Sequence, residues 1–221
     1  MAKPRVIETD QGIQEELTVE AYDKMMRRLR DKGWMETKSI LNSGIRSGLA
    51  LEVGPGPGYL GLEWLKAAEG TTLKGLDISR NMIKMAEKNA REYGLEDRVE
   101  YVESDARSMP FEDNTFDAVF TNGSLHEWSQ PAAILNEIHR VLKPAGKYHV
   151  SDLRRDMNPF IKWLMKLMTK PKEIKSGLIT SINAAYTEDE IREMLKETKI
   201  QGYDIQKSVM GLAITGEKGS S

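Results

Sequence analysis

Seven residues, Glu52-Val53-Gly54-Pro55-Gly56-Pro57-Gly58, constrain this chain more than any others. They close a short apolar run, Leu49-Ala50-Leu51-Glu52-Val53, and open the stretch Tyr59 to Ala68, where Leu60, Leu62, Trp64 and Leu65 recur at helical spacing. Strand, glycine-rich turn, helix is the entry to a parallel α/β sheet. The glycines let the backbone turn sharply and let a ligand approach without Cβ atoms in the way. The loop is poorly made for a dinucleotide. The G-x-G-x-x-G pattern wants a small residue where this chain has Tyr59, and the third glycine comes one residue early. Pro55 and Pro57 also remove two N–H donors that a pyrophosphate cradle would use.

The alternation continues. A second strand is predicted at Thr72 to Ile78, then a helix capped by Ser79, with Met82, Ile83, Met85, Ala86, Asn89 and Ala90 along its inner side and Gly94 as its stop. Strands follow at Val99 to Val102 and Phe116 to Thr121. Ser129-Gln130-Pro131 opens a helix stopped by Pro144 and Gly146, and Tyr148 to Ser151 is the fifth strand. Five alternations specify an α/β fold with a largely parallel sheet. The tail reads as helices from Pro159 to about Thr169 and from Ile174 to Ala185. After them come a capping-box helix from Thr187 and two closing strands, Asp204 to Lys207 and Met210 to Thr215, antiparallel to each other. The expected organisation is one domain over 1–221: a cap of two polar helices (1–48) across the sheet's crevice, a core (49–152) and a helical insertion (153–186). The terminal Gly216 to Ser221 reads as frayed.

Composition removes several function classes. Lys+Arg total 32 and Asp+Glu 34, a net charge of -2, so no global basic field invites nucleic acid. The absence of cysteine excludes disulfides, thiolate metal sites and a thiol nucleophile, and three dispersed histidines do not make a metal site. Met1-Ala2-Lys3-Pro4-Arg5 leads to Glu8 and Asp10 with no apolar signal segment. The most apolar stretch, Phe160 to Met168, is interrupted by Lys162 and Lys166, so a cytoplasmic protein without a membrane span is expected. From Arg154 to Lys175 there are seven basic residues against two acidic, interleaved with Phe160, Trp163, Leu164, Met165, Leu167 and Met168. That segment is either a lid over an apolar or anionic acceptor with peripheral membrane contact, or a core-packing amphipathic helix with solvated lysines.

Two strand-end acids follow the loop. A carboxylate at Asp77 can accept hydrogen bonds from both ribose hydroxyls, and one at Asp105 can accept from an adenine amine. Together they outline an adenosine site without phosphates. The motifs Glu52-x-Gly54-x-Gly56-x-Gly58, Leu76-Asp77-Ile78-Ser79, Ser104-Asp105-Ala106, Phe116-Asp117-Ala118-Val119 and Glu137-Ile138-His139-Arg140-Val141-Leu142-Lys143-Pro144-Ala145-Gly146 resemble, in order, those of class I S-adenosylmethionine-dependent methyltransferases. The wording is most similar to the ubiquinone and menaquinone C-methyltransferase branch and covers about half the chain, Leu49 to Asp152. Ala145 stands where that branch usually has glycine.

The resemblance implies a Rossmann-like three-layer sandwich, its seven-stranded, mostly parallel sheet ending in an antiparallel strand. It implies S-adenosyl-L-methionine as cofactor. Gly54, Gly56 and Gly58 would face its methionyl part, Asp77 would bind ribose, Ile78 would pack on adenine, and Asp105 with Ala106 would read the adenine edge. Glu52 would reach the amino group or orient the loop, and Tyr22-Asp23 resembles a pair that closes over the cofactor in some relatives. Asn122-Gly123-Ser124-Leu125-His126-Glu127-Trp128 falls at the crevice beyond the fourth strand, with Asn122 placed beside the cofactor. His126 is either a general base, for which an imidazole's ordinary pKa of about 6.5 is suited, or a packing residue. The expected activity is methyl transfer to an unidentified acceptor, a small molecule ahead of a protein side chain. A noncatalytic or NAD-type nucleotide-binding protein is the alternative. Oligomeric state is not legible.

Overall fold

Strand order carries the architecture. In a computed structural model that describes residues 4–7, 13–170 and 174–220, two helices, α1 (Glu16–Asp31) and α2 (Thr37–Asn42), precede the alternating core. That core runs β1 (Leu49–Val53), α3 (Tyr59–Ala67), β2 (Thr72–Asp77), α4 (Arg80–Tyr93), β3 (Val99–Glu103), β4 (Phe116–Asn122), α5 (Pro131–Val141) and β5 (Leu142–Leu153). Three helices, α6 (Pro159–Met168), α7 (Ile174–Ala184) and α8 (Glu188–Leu195), lead to β6 (Asp204–Lys207) and β7 (Gly211–Glu217). The sheet order is β3-β2-β1-β4-β5-β7-β6. The first five strands are parallel, and β7 inserts antiparallel to both β5 and β6. The chain winds outward from β1 to β3 and then crosses back to β4. The order therefore reverses between β1 and β4, and a crevice opens beyond their carboxyl ends.

The period of two along each strand divides the core. Leu51, Val53, Leu76, Val119, Val150 and Ile214 pack with Ile138, Ile191 and Leu195 in one layer. Ala50, Leu73, Ala118 and Phe120 pack with Leu62, Trp64 and Leu65 in the other. The predicted caps hold: Ser79 Oγ accepts from Met82 N, Gly94 is left-handed, and both halves of the Thr187–Glu190 capping box are made.

Four details differ from the sequence reading. β5 starts at Leu142, directly after α5, and absorbs Pro144–Gly146 as a bulge. Its pairing with β4 jumps from Phe116↔Leu142 to Ala118↔Lys147, and Ala145 takes φ 60°. The end of the chain secures that bulge: Ala145 N donates to Lys218 O, Lys218 N to Gly146 O, and Lys218 Nζ to Asn114 and Leu142 O. Residues 216–218 are therefore tied down rather than frayed, while Ser221 lies outside the described residues. Of the N-terminal helices, α2 is not simply a polar cap: it packs against α3, with Ile40 and the following Ile45 in the apolar core and Trp64 Nε1 donating to Ile45 O, while its Ser39 lines a cavity at the crevice. Finally, α6 buries none of its residues, so it is not a core-packing helix. Lys172 and Glu173 of the basic segment lie outside the described residues. No helix among the described residues is long and apolar enough to cross a membrane.

Candidate active site

The glycine loop turns at the carboxyl end of β1 with every donor engaged. Gly54 N donates to Leu76 O at 2.8 Å, Gly56 N to Asp77 Oδ2 at 3.0 Å and Gly58 N to Pro55 O at 2.9 Å. Pro55 and Pro57 have no N–H. All three glycines have positive φ, and neighbours crowd them: a Cβ at Gly54 would lie 2.9 Å from Ser124 Cβ, and one at Gly58 would lie 2.6 Å from Tyr101 Oη. Beneath the loop Glu52 is 2% exposed with no partner for Oε2, and burial pushes its carboxyl up to about 8, so it is protonated at neutral pH. It faces Gly61, where a Cβ would overlap it.

Nine of the predicted cofactor residues face one cavity: Tyr22, Glu52, Gly54, Gly56, Asp77, Ile78, Asp105, Ala106 and Asn122. Gly58 does not. It is the left-handed N-cap of α3, behind the loop. Asp77 is buried and accepts from Gly56 N and from Ser79 N at 2.9 Å; burial raises its pKa against the pull of those donors. Ile78 lies one residue past β2 and is 38% exposed at the cavity rim. Asp105 is gripped by Arg107, whose Nη2 lies 2.6 Å from Oδ2, and that pairing holds the carboxylate below its usual range. Trp128 lines this cavity and also packs into the apolar core.

Tyr22 and Asp23 divide their work. Asp23 is an anchor: Tyr59 Oη donates to it at 2.9 Å, as does Asn89 Nδ2, which also donates to Pro57 O. This clamps α1 to α3 and α4. Tyr22, one residue back, is thereby laid over Gly56, with a ring carbon 3.5 Å from where a Cβ would be. Burial foremost, and then the carboxylates of Glu127, Asp152 and Asp77, raise the phenol's pKa, so it remains a donor.

A second cavity adjoins the first across Asn122 and Gly123, beyond the ends of β4, β5 and β7. Trp34, Glu36, Asp152, Lys207, Met210 and Leu212 stand on its wall. His126 does not: it is 5% exposed and lies on neither wall, contrary to its expected place at the open crevice. Asp152 carries the connection instead. Its carboxylate accepts from His126 N at 2.7 Å, His126 Nδ1 at 2.9 Å and Leu153 N at 2.6 Å. Arg5 fixes the same turn from outside, donating to His126 O at 2.8 Å and Ala184 O at 2.6 Å.

Sequence reasoning passed over Asp152, Asn89 and Tyr101. Asp152 had the same signal as Asp77, an acid at a strand's carboxyl end, and Asn89 was a lone amide inside an apolar helical stripe. Tyr101 had no signal, because its contacts with Gly58 and Gly75 exist only once β2, β3 and α3 are assembled.

Residues 51–150 match the family model described as a methyltransferase domain. The chain is 35% identical over 103 residues to methyltransferase GfsG of Streptomyces halstedii, a match covering 47% of this chain and 37% of that one. It is 33% identical over 105 residues to the ubiquinone/menaquinone biosynthesis C-methyltransferase UbiE of Blochmanniella pennsylvanica, covering 47% and 41%. The chain thus spans well under half the length of these two relatives. A Methanococcus maripaludis crystal structure assigned as an S-adenosyl-L-methionine-dependent methyltransferase superimposes with a TM-score of 0.76 at 25% identity, over 98% of this chain and 99% of that one. By these matches residues 51–150 form a methyltransferase domain, and the sheet order and ordered motifs are similar to those of the class I S-adenosylmethionine-dependent methyltransferases.

Proposed function

We propose that this protein transfers a methyl group from S-adenosyl-L-methionine to a small-molecule acceptor held in the cavity beyond β4 and β5. The observation that carries the reading is the glycine loop, whose three N–H groups are all bonded inside the protein and whose other two residues are prolines. Such a loop offers a pyrophosphate nothing, so a dinucleotide is disfavoured. Its close glycines and the buried Asp77 suit an adenosine with an uncharged linkage.

The residues fit the group. Asp77 retains lone pairs for ribose hydroxyls, since each oxygen accepts one backbone N–H. Ile78 and Ala106 would flank the adenine, with Asp105 at its edge. The loop from Gly54 to Gly56 would hold the methionyl part beneath Tyr22, and Asn122 would sit between cofactor and acceptor. Bound there, the sulfonium supplies a methyl group that is already activated. The protein's own work is alignment and exclusion of water. Tyr22 covers the loop as a neutral donor. Asp152 lies at the acceptor cavity with its carboxylate turned inward onto His126 N, His126 Nδ1 and Leu153 N, so it would hold the cavity wall in shape. His126 supports it from behind as a positioning residue.

Calorimetric titration with S-adenosylmethionine, S-adenosylhomocysteine and NADH, alongside Asp77→Ala, tests this. Saturable binding of the first two, lost in the variant and absent for NADH, is expected. Binding of NADH alone overturns the proposal.

A further inference from the structure

The helix α6 presents a face that none of the described residues covers. Its Phe160, Trp163, Leu167 and Met168 are 62%, 57%, 57% and 50% exposed, a cluster of large apolar side chains on one short helix. At 3.6 residues per turn, Phe160, Trp163, Leu164 and Leu167 fall on one side, and the Phe160 and Trp163 rings stack with centroids 5.8 Å apart. Lys162 and Lys166 lie four residues apart along one flank, and Lys170 follows just past the helix end. Lys162 is tied to Arg155 O, which leaves Lys166 and Lys170 as the exposed cations of that edge. No acidic residue occurs in the helix.

We infer that α6 is an interfacial helix that docks on an anionic lipid bilayer. Aromatic rings and leucine on one face with lysines beside them form the arrangement that settles at the boundary of headgroups and acyl chains. There the rings enter the apolar layer while the ammonium groups meet phosphates. Charge picks the lipid surface over a second copy of this chain. In a symmetric pair the same lysine edges would face each other or water with no acid on the helix to meet them, whereas an anionic leaflet supplies counter-charge along the whole edge. The helix is joined to the rest mainly through α7, so docking would leave both cavities of the active site accessible.

The test is co-sedimentation of the full-length protein with vesicles of phosphatidylcholine alone or mixed with phosphatidylglycerol, at low and high salt. Anionic vesicles should pull the protein down at low salt and release it at high salt, with phosphatidylcholine vesicles far weaker. A variant carrying Phe160→Ser, Trp163→Ser and Leu167→Ser should no longer sediment. Lys166→Gln and Lys170→Gln should each weaken binding about fivefold. All these positions are exposed, so thermal unfolding and S-adenosylhomocysteine titration should remain those of the parent. No sedimentation with anionic vesicles overturns the inference, as does equal sedimentation of the triple-serine variant. So does a dimer that forms without lipid and disappears in that variant, which would make the face a self-association surface.

Discussion

The two halves of the crevice, on either side of β4, are built on opposite principles. Over β1 and β2 the backbone forms the site. Glycine N–H groups close on Leu76, Asp77 and Pro55, side chains of Ser124 and Tyr101 press where Cβ atoms would be, and the strand-end acid Asp77 is held by backbone donors. Over β5 and β7 side chains form it. The wall mixes apolar Trp34, Met210 and Leu212 with charged Glu36 and Lys207, and behind it the Asp152 carboxylate accepts from three N–H donors. A site made of backbone recognises one invariant ligand and tolerates little change. A site made of side chains can be respecified by substitution, which suits a reaction whose donor is constant and whose acceptor varies.

Separating the halves kinetically should give the largest effect. Asp152→Asn removes the charge that accepts from His126 and Leu153 behind the second cavity, so turnover should fall about 10²-fold through misplacement while S-adenosylhomocysteine binding, measured by titration, stays unchanged. An equal loss in both would show that the two cavities are not independent.

Next in size is the contrast between two left-handed glycines. Gly58→Ala adds backbone strain and drives a methyl into Tyr101 and Ala86, for about 3 kcal/mol in denaturant unfolding. Gly123→Ala, at φ 75° with nothing within 4 Å, should cost only about 1 kcal/mol, from strain alone. Similar losses would refute the claim that packing, and not only dihedral strain, makes Gly58 intolerant of substitution.

Each half also contains a buried titratable group, and their pH slopes oppose. Glu52 in β1 has a folded pKa of about 8 against 4.5 when exposed. The folded state therefore binds the extra proton between those values, and stability declines as pH rises through that window. His149 in β5 is 1% exposed with neither ring nitrogen partnered, and burial lowers its pKa to about 4. Here the unfolded state takes the proton first, so stability declines as pH falls from 6.5 toward 4. Each slope is at most about 1.4 kcal/mol per pH unit. Glu52→Gln should flatten the alkaline side of a stability profile and His149→Leu the acid side. An unaltered slope in either variant would remove that group from the account.

The smallest effect concerns the β5 bulge. Ala145 holds φ 60°, so Ala145→Gly should relieve strain and add about 0.5–1 kcal/mol, a rise of about 1–4 °C in Tm by calorimetry.

What could be read without a structure follows the same division. The sheet's strands, the caps at Ser79 and Thr187, and the acids at Asp77 and Asp105 were legible because each depends on local spacing: period two, period 3.6, a glycine turn, a carboxylate at a strand end. The bulge at Pro144–Gly146 read as a helix stop because its stabilising partner, Lys218, is distant in sequence. His126 was legible as a residue at the crevice but not as one behind its wall, since that depends on how the turn after β4 packs against Asp152. In the same way Tyr22 was visible as a motif, while its position over Gly56 depends on Asp23 finding Tyr59 and Asn89.

By itself, then, the sequence determined the alternation of strands and helices, the glycine turn after β1 and the acids at the strand ends, because these follow from bonding within a few residues. The tertiary structure alone decided which acid braces the turn after β4, which glycines are crowded by distant side chains and which helix is left uncovered by the described residues. Those properties arise from contacts between segments far apart in the chain, and only close packing sets them.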